Sequence, residues 1–293
     1  MTDRISKLTK FVMTIILLPT LVSCQKGYSS EEPKSQDSEE TSETSISVSD
    51  EEKHIVKKSV LIGGGWPTGT TEKILQLSET ENPKVRIFAT AMNDDKANED
   101  NYISMFSPYS TDVKAIELIN PTLTNEEIEL DILSSNIICV AGGMTEVLMR
   151  EWKEHRLDFA LTEAYKRGTV MCGGSAGAIC WTYSGFNDFN SGAMDFIKGI
   201  NIIPIWFGPH ASDTEEVAWN QFGAVLNTKS EQQNNGAPKV GFLLTNDSAL
   251  VFEDNHYSLI KEKNASIHRY NYRDNEWIIN DIGYTSGTID YEI

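Results

Sequence analysis

Short apolar runs alternate with amphipathic stretches between residues 57 and 172, and several of the apolar runs end in glycines. This pattern predicts buried strands at 59–62, 85–90, 113–119, 137–140 and 169–172, and helices at 70–78, 124–133 and 145–166. Alternating strands and helices indicate an α/β fold with a mostly parallel sheet flanked by helices. In such sheets the functional site lies at the carboxyl ends of the strands.

The hydrophobic pattern changes after about residue 236, where shorter strand-like runs follow at 240–244, 249–252, 266–272 and 277–279. We interpret these runs as the last strand of the sheet and a C-terminal antiparallel β extension. The sequence contains no evident internal repeat.

The first 24 residues have the outline of a secretory signal peptide, with a basic region, an apolar region at 11–18 and the closing sequence Leu21-Val22-Ser23-Cys24. This ending resembles the lipobox of bacterial lipoproteins, and the resemblance implies that the Cys24 thiol carries the lipid. Two acyl chains give a stable membrane anchor, so we expect an extracytoplasmic, lipid-anchored protein. An ordinary signal peptide in which Cys24 is incidental is the alternative.

Charge is unevenly distributed along the chain. Acids outnumber bases by 43 to 25, which gives a net charge of −18, and the segment 25–52 holds nine acids but only two bases. Its low hydrophobicity and like charge predict a disordered acidic stalk over 25–56 and one folded domain over 57–293. Such an acidic chain would repel a phosphate backbone, so no nucleic-acid partner is expected.

The sharpest chemical motif is Gly173-Gly174-Ser175-Ala176-Gly177-Ala178, directly after a predicted strand. It matches the G-x-S-x-G nucleophile elbow, in which a tight strand-to-helix turn exposes the serine hydroxyl. The N–H of Ala176 would then supply half of an oxyanion hole. A turn of small residues without chemistry is the alternative.

A nucleophilic serine needs a base, and His210 is the best candidate because it follows an apolar run and Pro209 at a predicted sheet edge. His155 lies among charged residues of a predicted helix, so we expect it on a solvated face. Asp188 and Asp195 are the acids between Ser175 and His210, and either is a candidate to fix the imidazole tautomer.

The remaining candidate groups point to packing and not to chemistry. Cys172 and Cys180 are expected to be buried apolar residues. The four cysteines are too few for a disulfide scaffold, and no His or Cys spacing typical of a metal site is present. We therefore expect neither a metal nor a cofactor.

Taken in order, these motifs resemble the peptidase E and cyanophycinase family of serine peptidases, whose fold is similar to class I glutamine amidotransferases and thus flavodoxin-like. The matching segments are 61–65, Gly142-Gly143-Met144-Thr145, 173–178, Asn187-Asp188 and Pro209-His210. The resemblance implies Ser175 as nucleophile, His210 as base, Asp188 as orienting acid and the Gly143 N–H as second oxyanion donor. It also implies small peptide substrates, often with an aspartyl residue beside the scissile bond.

Two other functions remain open. Met144, where relatives often have Asn, and the acidic run after His210 favour a non-catalytic surface lipoprotein that binds a peptide or a cell-wall fragment. An esterase or amidase with the same triad is the second alternative. The sequence predicts neither the acyl group nor the oligomeric state, because pocket shape depends on loops that sequence patterns do not place.

Overall fold

Two β-sheets and their flanking helices form the architecture, in a computed structural model that describes residues 54–187, 195–211, 222–228, 236–274 and 276–290. The strands of this part of the chain are β1 (Lys58–Gly64), β2 (Val85–Phe88), β3 (Val113–Ala115), β4 (Ile137–Val140), β5 (Val170–Gly174), β6 (Thr182–Asn187), β7 (Asp195–Lys198), β8 (Ile203–Ala211), β9 (Val240–Thr245), β10 (Ser248–Glu253), β11 (His256–Lys261), β12 (Ile267–Arg273), β13 (Glu276–Asp281) and β14 (Gly287–Thr288). The helices are α1 (Thr70–Ser78), α2 (Lys96–Phe106), α3 (Asn125–Leu133), α4 (Thr145–Glu154), α5 (Asp158–Lys166) and α6 (Ala176–Ile179), with a 3₁₀ turn at Thr90–Met92 and helical residues at 222–228.

The first sheet has the strand order β14-β11-β10-β1-β5-β4-β2-β3. Its five strands from β1 to β3 run parallel, and β10, β11 and β14 extend it antiparallel. Successive residues of β1 enter different cores, since Leu61 packs in one hydrophobic cluster while Val60 and Ile62 pack in another. A strand buried on both faces explains why these strands read as continuous apolar runs. The predicted α/β class is confirmed.

A second sheet, with the order β13-β12-β9-β8-β6-β7, is an addition to the predicted architecture. Strands β6, β8 and β9 run parallel within it, and the others pair antiparallel. The predicted runs at 240–244, 266–272 and 277–279 belong to this sheet, whereas 249–252 extends the first sheet. The two sheets meet closely at Gly63, where a Cβ would lie 2.5 Å from the Thr245 carbonyl oxygen.

The helices follow the predicted pattern with two differences. The capping box of α3 forms as expected, since the Thr124 hydroxyl accepts from the Glu127 N–H and the Glu127 carboxylate accepts from the Thr124 N–H. The predicted helix at 145–166 is two helices, because Arg156 between them adopts a φ of 57°. Helix α2 had no prediction, since its polar sequence hides the helical period. No helix in the described ranges is long and apolar enough to span a bilayer.

His155 and His54, the first described residue, both form hydrogen bonds to the rest of the domain. His155 was expected on a solvated face, but it is half-buried, with Nδ1 2.7 Å from Asn125 Oδ1 and Nε2 3.0 Å from the Leu118 carbonyl oxygen. His54 Nε2 lies 2.8 Å from Asp254 Oδ2, and the Lys57 N–H donates to Asp254 Oδ1. The last residues of the predicted stalk, from 54 onward, therefore contact the domain.

Candidate active site

The predicted nucleophile lies on a strained turn between β5 and α6. Ser175 has φ 56° and ψ −119°, a conformation that non-glycine residues rarely adopt. Its N–H donates to the Ile62 carbonyl oxygen at 3.0 Å, so the neighbouring strand β1 holds the turn in place. Strain of this kind is concentrated at functional sites, where the surrounding structure enforces it. The structure therefore forms the elbow that the sequence motif predicts.

The glycines of the motif are required by a close approach between α6 and β4. A Cβ at Gly177 would lie 2.6 Å from the Val140 carbonyl carbon and would collide with its oxygen. A Cβ at Gly173 would lie 2.7 Å from the Gly177 carbonyl carbon. Side chains at either position would push the helix away from the sheet, and the serine would move with it.

His210 contacts Ser175, the predicted nucleophile. It lies near the end of β8, with φ 55°, where the pairing between β8 and β9 is irregular from Gly208 to Ala211. Irregular pairing of this type re-aims a side chain out of the regular strand pattern. His210 Nε2 lies 2.7 Å from Ser175 Oγ, which is the distance of a short hydrogen bond.

The residue that contacts the other imidazole nitrogen is Asn246. His210 Nδ1 lies 2.8 Å from Asn246 Oδ1, in the two-residue turn that leads from β9 in the second sheet to β10 in the first. An amide oxygen only accepts hydrogen bonds, so it selects the tautomer with hydrogen on Nδ1. In that tautomer Nε2 is free to accept the proton of Ser175 Oγ.

Asn246 was not predicted from the sequence, because the orienting group was expected to be an acid between Ser175 and His210. The Asn246-Asp247 pair between two predicted strands was the available signal of a turn at the sheet edge. Asp188 lies outside the described residues, and of Asp195 only the backbone is described, as the first residue of β7. Both therefore stay predictions as triad acids.

Gly64, at the end of β1, lets the imidazole and the amide come together. A Cβ there would lie 2.5 Å from His210 Nδ1 and would collide with Asn246 Oδ1. The glycines that end β1 were predicted to mark the site, and one of them, Gly64, leaves room for these two side chains. Asp247 fixes the same turn, since its N–H donates to the Gly64 carbonyl oxygen at 2.6 Å.

The predicted oxyanion residues lie beside the serine. A Cβ at Gly142 would lie 3.3 Å from Ser175 Cβ, and Gly143 follows it with φ 133°. A Cβ at Gly143 would also lie 2.8 Å from the Ala91 carbonyl carbon, so both backbone angle and space favour glycine. Ala176 is the first residue of α6, where a backbone N–H has no acceptor within its own helix.

A cavity of about 430 Å³ opens at Ser175 and His210. Its remaining lining residues are Gly64, Gly65, Trp66, Met92, Asn101, Tyr102, Met105, Gly142, Gly143 and Gly174. The Tyr102 hydroxyl accepts a long hydrogen bond, 3.4 Å, from the Gly142 N–H. Burial raises the pKa of Tyr102 to about 12, so its phenol is neutral at physiological pH.

The cysteines of the domain lie in the core. Cys139, Cys172 and Cys180 are free thiols that are fully buried, as predicted for Cys172 and Cys180. Burial raises the pKa of the Cys172 and Cys180 thiols well above the usual value, which disfavours the reactive thiolate. Within the described ranges, no group of three or more His, Cys, Asp or Glu residues is arranged to hold a metal ion.

Sequence comparison links the chain to known peptidases. The model of "Peptidase family S51" matches residues 56–260. A relative from Bacillus subtilis (strain 168), "Uncharacterized peptidase YgaJ", is 30% identical over 161 residues, which are 53% of this chain and 69% of that protein. The match spans Ser175 and His210 in the family model.

Two solved structures share the fold. A peptidase from an acI-B1 Actinobacterium superposes with a TM-score of 0.57 at 17% identity, covering 80% of this chain and 98% of that one. A structure described as a "Putative Peptidase E Protein" from Listeria monocytogenes EGD-e gives a TM-score of 0.50 at 14% identity, covering 71% and 100%. Because the family model spans well over half of the chain, the chain belongs to peptidase family S51 and is a serine peptidase.

Proposed function

We propose that this chain hydrolyses small peptides through an acyl-enzyme on Ser175, with His210 as general base and Asn246 as the residue that orients the imidazole. The observation that carries the proposal is the continuous hydrogen-bonded chain from Ser175 Oγ to His210 Nε2, 2.7 Å, and from His210 Nδ1 to Asn246 Oδ1, 2.8 Å. This is the arrangement of nucleophile, base and orienting group that acyl transfer needs.

The reaction follows from these contacts. Ser175 Oγ attacks the scissile carbonyl carbon while its proton passes to His210 Nε2, and the N–H groups of Gly143 and Ala176 stabilise the oxyanion. The C–N bond then breaks, and His210 gives the proton to the leaving amine. Water attacks the carbonyl carbon of the resulting ester while its proton passes to Nε2. The C–Oγ bond then breaks, Oγ takes that proton back from Nε2, and the carboxylic acid product leaves.

Three residues are candidates to orient the His210 imidazole: one is observed in contact with it, and two are predicted from the sequence. Asn246 occupies the hydrogen-bonding position of Nδ1, whereas the acid role that the family resemblance implies for Asp188, with Asp195 as the alternative, is a prediction. Substituting each of the three residues by Ala separates the roles. We expect Asn246→Ala to lower kcat by about 10-fold to 100-fold, and a larger loss in Asp188→Ala would assign the role to that acid.

Hydrolysis of a small-peptide library tests the proposal. Ser175→Ala and His210→Ala are expected to lower kcat/KM by roughly 10⁴-fold or more, because nucleophile and base act as one unit. Thermal unfolding of each variant controls for folding. Retained hydrolysis in a folded Ser175→Ala protein would contradict the mechanism. The aspartyl residue beside the scissile bond, implied by the family resemblance, is tested by including aspartyl peptides in the same library.

We also propose that a lipid on Cys24 anchors the domain to the extracytoplasmic face of a membrane. The support is the basic and apolar pattern that ends in Leu21-Val22-Ser23-Cys24, and the acidic segment that follows it. These residues lie outside the described ranges. Mass spectrometry of the mature protein is expected to find a diacylated Cys24 at its N-terminus. In cell fractionation, the Cys24→Ala protein is expected to be lost from the membrane fraction. Membrane association that is unchanged by Cys24→Ala would contradict the anchor.

A further inference from the structure

Two cavities with different chemistry share His210. The apolar cavity, which Ser175 and the glycines 142–143 also line, is about 430 Å³. The polar cavity, of about 580 Å³, is lined by His210, Ala211, Thr245, Asn246, Asp247, Glu262, Lys263, Asn264 and Ala265. Only the apolar cavity includes the nucleophile, so the two cavities take different parts of a substrate.

The covalent bond to Ser175 fixes the position of the acyl half of the substrate. Its carbonyl carbon is bonded to Ser175 Oγ and its oxyanion faces Gly143, so its side chain lies in the cavity that these two residues line. The leaving amine takes its proton from His210 and departs past the imidazole, toward the polar cavity. The apolar cavity therefore binds the side chain on the acyl side of the scissile bond and selects which side chains fit.

The side chains that line the apolar cavity present mostly carbon and sulfur to a substrate. Trp66 and Tyr102 stack edge to face, with ring centroids 6.0 Å apart at 85°. The Trp66 indole N–H donates to Thr71 Oγ1 at 3.0 Å, so Trp66 contributes its ring to the wall, and Met92 and Met105 line the same space. The Tyr102 hydroxyl and the Asn101 amide are the neutral polar groups of this wall.

Among the described residues that line this cavity there is no lysine or arginine to pair with an acidic side chain. A carboxylate that enters it loses hydration and meets no cationic side chain of these two types in the described lining, which disfavours its binding.

We propose that the residue on the acyl side of the scissile bond is apolar, with an aromatic, leucine or methionine side chain, and not aspartyl. This inference rests on the proposed serine mechanism and deepens it. It departs from the family-based expectation because the chain's own cavity residues are apolar. Trp66, Tyr102 and Met105 are its specificity-determining residues.

Protection of Ser175 from a fluorophosphonate label tests the proposal on the wild-type protein. The competitors are N-acetyl-alanyl boronic acids that differ only in the acyl-side residue, which is Phe, Leu or Asp. We expect the Phe or Leu compound to halve labelling at a concentration at least tenfold lower than the Asp compound. Equal or better protection by the Asp compound, or no protection by any, would overturn the proposal. Absence of labelling at Ser175 would instead count against the serine mechanism itself.

A charge-introducing variant provides the matched comparison. Met105→Arg places a cation in the cavity wall. We expect the concentration that halves labelling to fall at least tenfold for the Asp compound and to rise at least tenfold for the Phe compound, relative to wild type. Met105→Leu keeps an apolar wall and should retain the wild-type order. Leu130→Arg adds the same charge on the exposed face of α3, away from the cavity lining, and should also retain it. If Met105→Arg is labelled at the wild-type rate and the three compounds keep the wild-type order of protection, the assignment of this cavity to the acyl-side residue is contradicted.

Discussion

Individual backbone conformations determine the site. Ser175 and His210 both have positive φ, 56° and 55°, although neither is glycine. Each such residue costs of the order of 1–3 kcal/mol, so the fold must hold both against relaxation. For Ser175 a hydrogen bond to β1 helps to do this, and for His210 the contacts to Ser175 and Asn246 lock the side chain.

Gly64→Ala is predicted to lower kcat by roughly 100-fold while the fold persists. Its Cβ would lie 2.5 Å from His210 Nδ1 and would displace the imidazole from Ser175. A displacement of about 1 Å at a catalytic group costs roughly 100-fold in rate. Peptide hydrolysis measured beside a thermal unfolding curve checks this, and the prediction is contradicted if the folded variant keeps wild-type kcat.

Asn246→Asp is predicted to move the acid limb of the pH–rate profile upward. A carboxylate beside Nδ1 stabilises the imidazolium form of His210, so the base is protonated, and inactive, up to a higher pH than in wild type. The profile of kcat/KM against pH between about 4 and 9 is the measurement. Asn246→Gln, which keeps a neutral amide, is the control, and coincident acid limbs in all three proteins would refute the assigned contact.

At the scale of elements, the elbow depends on how closely α6 approaches β4. Gly177 faces the Val140 carbonyl group at a distance that leaves no room for a Cβ. Gly223 has no such constraint. A Cβ at Gly223, in the helical residues 222–228, would meet Tyr270 at 3.6 Å, an ordinary contact. The two positions therefore form a matched pair for substitution.

Gly177→Ala is predicted to lower the free energy of unfolding by about 1–3 kcal/mol, the usual cost of overpacking. Gly223→Ala is predicted to be neutral or slightly stabilising, since alanine is favoured over glycine in a helix. Urea unfolding of both variants is the measurement. Equal stabilities would show that the close approach of α6 to β4 does not constrain the elbow.

A buried ion pair connects β2 to α3. The Arg86 side chain, only 3% exposed, donates from Nε to Asp131 Oδ2 at 2.5 Å and also contacts Asp112. Partial burial opposes the charged form of Asp131, but hydrogen bonds from Arg86 and Lys84 hold the pKa of its carboxyl below the usual value. A lowered folded-state pKa stabilises the protein above the unfolded value, near 3.9, and this stabilisation is lost as pH falls through the folded value.

Asp131→Asn is therefore predicted to destabilise the protein at pH 7 by about 1–3 kcal/mol, because it removes one of the two carboxylates that pair with the buried guanidinium. The difference from wild type should be smaller at pH 3 than at pH 7, because pH 3 lies below the unfolded-state value and the stabilisation is lost as pH falls toward the lowered folded-state pKa of Asp131. Urea unfolding of both proteins at the two pH values measures it. A difference that is independent of pH would contradict the ion-pair argument.

Strands and helices with strong local signals could be predicted from the sequence, and elements defined by distant contacts could not. Helix α1 and strand β4 match their predictions in full, and the capping box located the start of α3. The second sheet escaped prediction because its strands come from widely separated segments, so only tertiary pairing reveals it. The elbow could be predicted because glycine spacing reports backbone geometry directly, whereas Asn246 reaches His210 only through the meeting of β8 and β9.

At the scale of the whole molecule, the site forms where the two sheets meet. Ser175 follows a strand of the first sheet, while His210 lies in the second and Asn246 in the turn that joins them. Any change that shifts one sheet against the other separates Ser175 from His210. The net charge of −18 says little about this site, since −7 of it comes from residues 25–52 of the predicted stalk.

The most direct test of the roles assigned to Ser175 and His210 is the mapping of a fluorophosphonate adduct by mass spectrometry in the wild-type protein and in His210→Ala. We predict one adduct, on Ser175, and a labelling rate at least 100-fold lower in His210→Ala, because the imidazole activates the hydroxyl. Both proteins should unfold at similar temperatures. An adduct on a residue other than Ser175, or equal labelling rates in the two folded proteins, would contradict the assignment of Ser175 and His210 as nucleophile and base.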